Sequence, residues 1–130
     1  MRPRERFGPD DPLEWLKRAR SNLARARHRI PGTYLEDACF DAQQAAEKAI
    51  KAVMVFRDIE FPYIHELARL IDILESAGDP IPDGVRRAGR LTRYATATRY
   101  PGLEEPVTER EYAEAVEIAE AVLRWAESLL

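Results

Sequence analysis

Apolar residues recur along this chain every three or four positions, in stretches separated by proline, glycine and capping residues, and that spacing predicts helices. Asp11-Pro12-Leu13-Glu14 reads as a helix start, with a capping carboxylate, proline at the first helical position and an acid two residues on. Leu16, Ala19, Leu23, Ala26 and Ile30 then form one apolar stripe, which Pro31-Gly32 ends. Thr33-Tyr34-Leu35-Glu36 reads as a capping box opening the longest helix, expected to run to about Arg57, with Leu35, Ala38, Ala42, Ala45, Ala46, Ala49 and Val53 on one face. Leu67, Leu70, Ile71 and Leu74 predict a third helix that stops at Gly78. A fourth is expected from about Val85, with Val85, Ala88, Leu91 and Ala95 inward and Pro101-Gly102 as its breaker. Thr108-Glu109-Arg110-Glu111 is a further capping box, leading to Tyr112, Ala115, Val116, Ala119, Val122, Leu123, Ala126 and Leu129 on one stripe.

No segment alternates like a strand, so the expected fold is all-α: a single-domain, up-and-down antiparallel bundle of about five helices over residues 11–130, preceded by a flexible arm over 1–10. At 130 residues the chain is long enough to bury a core without staples. The single cysteine excludes a disulfide framework, and with two histidines no metal site or cofactor is expected. No apolar run is long enough to span a membrane and no secretory signal precedes the first helix, so a cytoplasmic location is expected.

The net charge of -3 conceals a segregation. Residues 1–29 and 85–99 are basic, whereas 30–84 and 100–130 are acidic. Two readings follow: oppositely charged helices lie side by side and neutralise each other, or the block 86–99 forms a local anion site. Arg86, Arg90 and Arg93 share one face of the fourth helix, and Arg99-Tyr100-Pro101 stands at its end. Guanidinium groups beside tyrosine rings suit a phosphate with an attached base, which makes Arg93, Tyr94, Arg99 and Tyr100 candidate ligand-binding residues. Gln44, Glu47, Lys48 and Lys51 share a ridge opposite the alanine face, read as a solvent face; Lys48 and Lys51 would add positive charge if the second helix lay beside the fourth. His65, at the start of the third helix, is a capping or titrating candidate.

Several of these segments together resemble the HEPN family of small helical domains, often encoded beside minimal nucleotidyltransferases. The matching pieces are Trp15-Leu16-Lys17-Arg18-Ala19 with Leu23 and Ala26, the run from Phe40 to Ala52 containing QQAAEKAIKA, His65-Glu66-Leu67, and Arg99-Tyr100-Pro101. The resemblance implies a bundle that pairs with itself as a homodimer and serves a nucleotide- or RNA-related role beside a nucleotidyltransferase partner, in a toxin-antitoxin type system. It also implies a metal-independent ribonuclease signature in many relatives, an arginine followed after four to six residues by a histidine. Here no histidine follows Arg99, so a binding module is expected ahead of an enzyme. The alternatives are a ribonuclease using Arg99 with His65 brought close by folding, and a purely structural interaction subunit.

Overall fold

The computed structural model describes residues 8–96, 101 and 105–130. Helix α1 (Pro12–Arg27) begins as expected: the Asp11 carboxylate accepts the Leu13 N–H at 2.8 Å and Pro12 occupies the first helical position. It ends earlier than the apolar pattern predicts. His28 is extended, so Ile30 leaves the stripe and stands 55% exposed. The capping box expected at Thr33 does not form either, because the Thr33 hydroxyl donates back to the Ile30 carbonyl and Tyr34 occupies the cap of α2 (Leu35–Phe56) without a side-chain bond.

Helix α2 is the centre of the molecule, packed by α1, by α5 (Glu109–Leu129), by α3 (Leu67–Ser76) and by the segment that follows α3. Ala42, Ala45, Ala46 and Ala49 are fully buried, and these small side chains let neighbouring backbones approach closely. Burial is not confined to that face: Cys39, Gln43, Glu47, Ile50, Lys51 and Met54 are buried as well. The ridge read as a solvent face is therefore largely internal at Glu47 and Lys51, because Trp15 of α1 and the Phe61–His65 connector close over it.

Helix α3 ends at Ser76, with Gly78 at φ +107°, a conformation that a Cβ would strain. The expected fourth helix is two pieces, a four-residue α4 (Asp83–Arg86) and a 3-10 helix (Arg87–Tyr94). Three residues per turn bring Ala88, Leu91 and Tyr94 onto one line, and all three are buried, as are Val85 and Ala95. The inward face is the predicted one although the helix type is not. The 3-10 helix lies tight against α3, where a Cβ on Gly89 would meet that of Ala68 at 3.3 Å. The Thr108 capping box is complete: its hydroxyl accepts the Glu111 N–H and the Glu111 carboxylate accepts the Thr108 N–H.

Ion pairs give the helix directions. Arg20 meets Glu127, Arg27 meets Glu120 and Arg29 meets Glu109, so α1 and α5 run antiparallel. Contacts from Trp15 to Lys51 and from Arg25 to Asp41 set α1 antiparallel to α2 in the same way. Helix α5 thus runs parallel to α2. Helix α3 does too, since His65 before it meets Glu47 and Asp79 after it meets Arg57, and the short helices, antiparallel to α5, carry the chain back. The charge segregation resolves mainly into such pairs: Arg86 bonds Glu75, Arg87 bonds Glu117, Arg90 bonds Glu114 and Arg93 bonds Glu111. Among the described residues no strand occurs, and no helix is long and apolar enough to cross a membrane.

The two threonines read from the sequence as caps give contrasting expectations. Thr108→Ala is expected to lower stability by about 1 kcal/mol in urea denaturation, whereas Thr33→Ala is expected to stay within about 0.5 kcal/mol of the parent, as surface changes away from caps do.

Candidate functional site

The side chains of Gln43, Glu47 and Lys51 are spaced four residues apart on α2 and stack along one row of that helix. Glu47 is only 5% exposed, and its carboxylate is hydrogen-bonded on both oxygens: Oε1 accepts from Gln43 Nε2 at 2.9 Å and bonds His65 Nδ1 at 2.8 Å, while Oε2 accepts from Lys51 Nζ at 3.0 Å. Burial alone would raise the Glu47 pKa, but the bonds from His65, Lys51 and Gln43 outweigh it and hold the carboxyl below its ordinary value. Gln44 Nε2 donates to the Gln43 side-chain amide oxygen at 2.7 Å.

The same cluster fixes its neighbours. The buried Lys51 ammonium lies 5.1 Å from the Phe61 ring centroid and 6.0 Å from that of Trp15, so it faces aromatic rings as well as a carboxylate. Trp15 meets Phe61 edge-on at 5.9 Å and donates its indole N–H to the Pro9 carbonyl at 2.7 Å. The His65 side chain is held at Nδ1 yet stays 58% exposed, which leaves the imidazole in contact with solvent.

Next to Glu47 in the same turn, Lys48 opens onto a second feature, a hollow of about 420 Å3 lined by Pro9, Glu14, Trp15, Arg18 and Lys48. Lys48 Nζ donates to the Asn22 side-chain oxygen at 2.7 Å, Asn22 donates to Asp41 at 2.9 Å, and Asp41 pairs with Arg25 at 3.5 Å. Arg18 gives its Nε to Glu14 at 2.7 Å, and its side chain is half exposed. Burial, and then the nearby Arg18 charge, push the Lys48 pKa down, with Glu47 and Asp41 opposing in part. Two cations thus converge on one hollow whose wall includes an indole.

The sequence candidates divide accordingly. Lys48 lines the hollow, whereas Lys51 is buried and committed to Glu47. Tyr94 is 5% exposed, its hydroxyl pKa raised first by burial, and the Arg93 guanidinium lies 5.2 Å over its ring while bonding Glu111. Arg99 and Tyr100 lie outside the described residues. Helix α2 does lie beside the 3-10 helix, and the Thr92 hydroxyl accepts the Leu67 N–H at 3.1 Å, which ties that segment to the start of α3. Trp15, Arg18, Asn22, Asp41 and Gln43 were not legible as site residues. The one local signal was the four-residue spacing of Gln43, Glu47 and Lys51, which solvent exposure would have explained equally well. Cys39 is buried, with burial raising its thiol pKa to about 12, and is inert as a nucleophile. Among the described residues no group of histidine, cysteine, aspartate and glutamate has the makings of a metal site.

The HEPN domain family model matches residues 13–129. Two solved structures are similar over nearly the whole chain. TT1696 from Thermus thermophilus is 34% identical, with a TM-score of 0.78, covering 92% of this chain and 98% of its own. ST0689, an archaeal HEPN homologue, is 31% identical, with a TM-score of 0.73, covering 92% of this chain and 97% of its own. Among curated proteins none matches.

Glu47→Gln leaves the Lys51 ammonium buried beside a neutral amide, and a loss of about 3 kcal/mol or more is expected in chemical denaturation at pH 7. Because folding depresses the Glu47 pKa, its contribution is present above the unfolded carboxylate value of about 4.3 and is lost as pH falls through the folded value. The stability gap between parent and variant is therefore expected to narrow below about pH 4; a gap unchanged from pH 7 to pH 3 would contradict the assignment.

Proposed function

Because this chain belongs to the HEPN domain family, we propose that it is a nucleotide- or RNA-binding module that works as a homodimer with a small nucleotidyltransferase, in a toxin-antitoxin type system, and that it does so without the family's arginine-histidine ribonuclease signature. The observation that carries the binding role is the state of Lys48. Its ammonium is half-buried, hydrogen-bonded to a neutral amide oxygen, and destabilised by the Arg18 charge across the hollow. An anion entering there relieves the repulsion and gains hydrogen bonds from groups already held in place. A phosphate is the anion such a pair of donors suits.

Arg99 supplies a further phosphate contact in this reading, and Tyr100 shapes the ligand beside it. Tyr94 and Arg93 support that end of the site from the 3-10 helix, where the Arg93 guanidinium covers the Tyr94 ring. The pairing of Arg86, Arg87, Arg90 and Arg93 with acids supports a local site over general attraction to polyanions, because those charges are already answered within the molecule.

A second reading, a metal-independent ribonuclease, is favoured by one observation only. His65 has Nδ1 fixed on a buried carboxylate and a solvent-reachable ring, an arrangement that can move a proton.

Calorimetric titration with ATP and with a short RNA is expected to show binding by the parent protein. Lys48→Met and Arg99→Ala are each expected to weaken it at least tenfold, about 1.4 kcal/mol, with a smaller loss of thermal stability. No binding by the parent protein ends the proposal. Light scattering is expected to give a dimer mass, and co-expression with an adjacent nucleotidyltransferase reading frame is expected to yield one complex. Incubation with RNA in chelator, alongside His65→Ala, decides the second reading: intact RNA throughout removes it, and cleavage lost only in the variant establishes it.

A further inference from the structure

The hollow beside Lys48 has an aromatic wall that the tyrosines of the basic block do not provide, and it offers more than a phosphate needs. We infer that Trp15 is a stacking platform and that the occupant of the hollow is a nucleoside 5′-phosphate, its base against the indole and its phosphate between Lys48 and Arg18. This assignment rests on the binding role proposed above and names the ligand part that role leaves open.

Three features carry it. The ring is held in advance, because its N–H bonds the Pro9 carbonyl and its neighbour Phe61 meets it edge-on at 90°, so little freedom is lost when a flat ligand settles on it. Its position is fixed a second time by Lys51, whose ammonium lies 6.0 Å from the ring centroid and is anchored by the Glu47 carboxylate. The half-buried Trp15 side chain also lines the same hollow as the two cations, so one site contains both an aromatic surface and a dianion's counter-charges. The volume of about 420 Å3 falls within the range of about 300–1,000 Å3 typical of small-molecule sites.

The Glu14 carboxylate also lines the hollow and takes the Nε edge of Arg18. That edge is the one pointing back along α1. The arrangement orients the guanidinium while Lys48 supplies the inner charge, and it selects against a second carboxylate-like group at the Glu14 side. The Gln43, Glu47, Lys51 and His65 cluster then has a mechanical purpose: it is the support that keeps the platform from turning. Trp15, Phe61 and Lys51 form one packed unit in which the buried carboxylate is the fixed point.

The test uses the protein chain and five probes: AMP, ATP, adenosine, ribose 5-phosphate and a 5′-phosphorylated trinucleotide. Trp15 fluorescence, read in a Trp125→Phe background so that one indole reports, is expected to be quenched by AMP and ATP and not by ribose 5-phosphate. Trp15→Leu is expected to weaken AMP at least tenfold in calorimetry while changing ribose 5-phosphate affinity less than twofold. Trp15→Phe, which keeps a ring and the packing, is expected to recover most of the loss and serves as the control for folding. A 5′-phosphorylated trinucleotide and AMP together distinguish the two sources of the same chemistry: equal affinity means a strand end fits, and tighter AMP means a free nucleotide. Nucleotide binding that persists undiminished in Trp15→Leu, with no quenching in the parent, overturns the stacking assignment and leaves the binding role intact. Failure of every probe to bind, ribose 5-phosphate and ATP included, overturns both.

Discussion

Helix α2 is surrounded, and the rest of the structure follows from that constraint. A helix enclosed by α1, α5, α3 and the 3-10 helix offers little to water along its middle beyond Gln44 and Lys48, so the other side chains there must be small, apolar or fully partnered. Alanines meet the first condition where backbones close together. Gln43, Glu47 and Lys51 meet the third, because an isolated carboxylate or ammonium at such depth would cost several kcal/mol. The four-residue spacing that puts them in one row lets each satisfy the next, and His65 brings the last donor from outside the helix.

A buried ion pair of this kind is seldom a source of net stability, since desolvation of both ions offsets most of their attraction. Its effect lies in geometry. Lys51 is held against Trp15 and Phe61, the connector after α2 is held against the helix through His65, and the indole is held in one orientation beside Lys48. The interior charge thus organises a solvent-facing hollow that it does not itself enter. Lys48, one residue along from Glu47, shares the same turn but points to the other side of the row, toward Asn22 and α1.

The exposed charges act differently. The arginines of α1 and of the α4 and 3-10 segments meet the glutamates of α5 and α3 at or near the surface, where each pair contributes little and salt screens it. Their collective result is the register of α5 against both basic segments. In a protein with an overall charge of -3, the concentrated positive charge of the described basic segments is in this way largely answered within the molecule, while Lys48 bonds a neutral amide and Arg18 shares Glu14 beside the hollow.

What the sequence determined alone is everything that depends on neighbours along the chain. Helical periodicity, the Asp11 and Thr108 caps, the stop at Gly78 and the inward residues from Val85 to Ala95 are properties of short windows, and an all-helical bundle of the HEPN type follows from them with the motifs around Phe40 to Ala52. Tertiary contacts decided what such windows leave open. The fourth helix tightened to a 3-10 form so that residues three apart faced the core, and the ridge at Glu47 and Lys51 became interior when Trp15, Phe61 and His65 closed over it. A polar row at helical spacing is the same string of letters in water or inside a protein; only the elements arriving from elsewhere in the chain set its dielectric, and with it whether those groups are solvated charges or the fixed frame of a site.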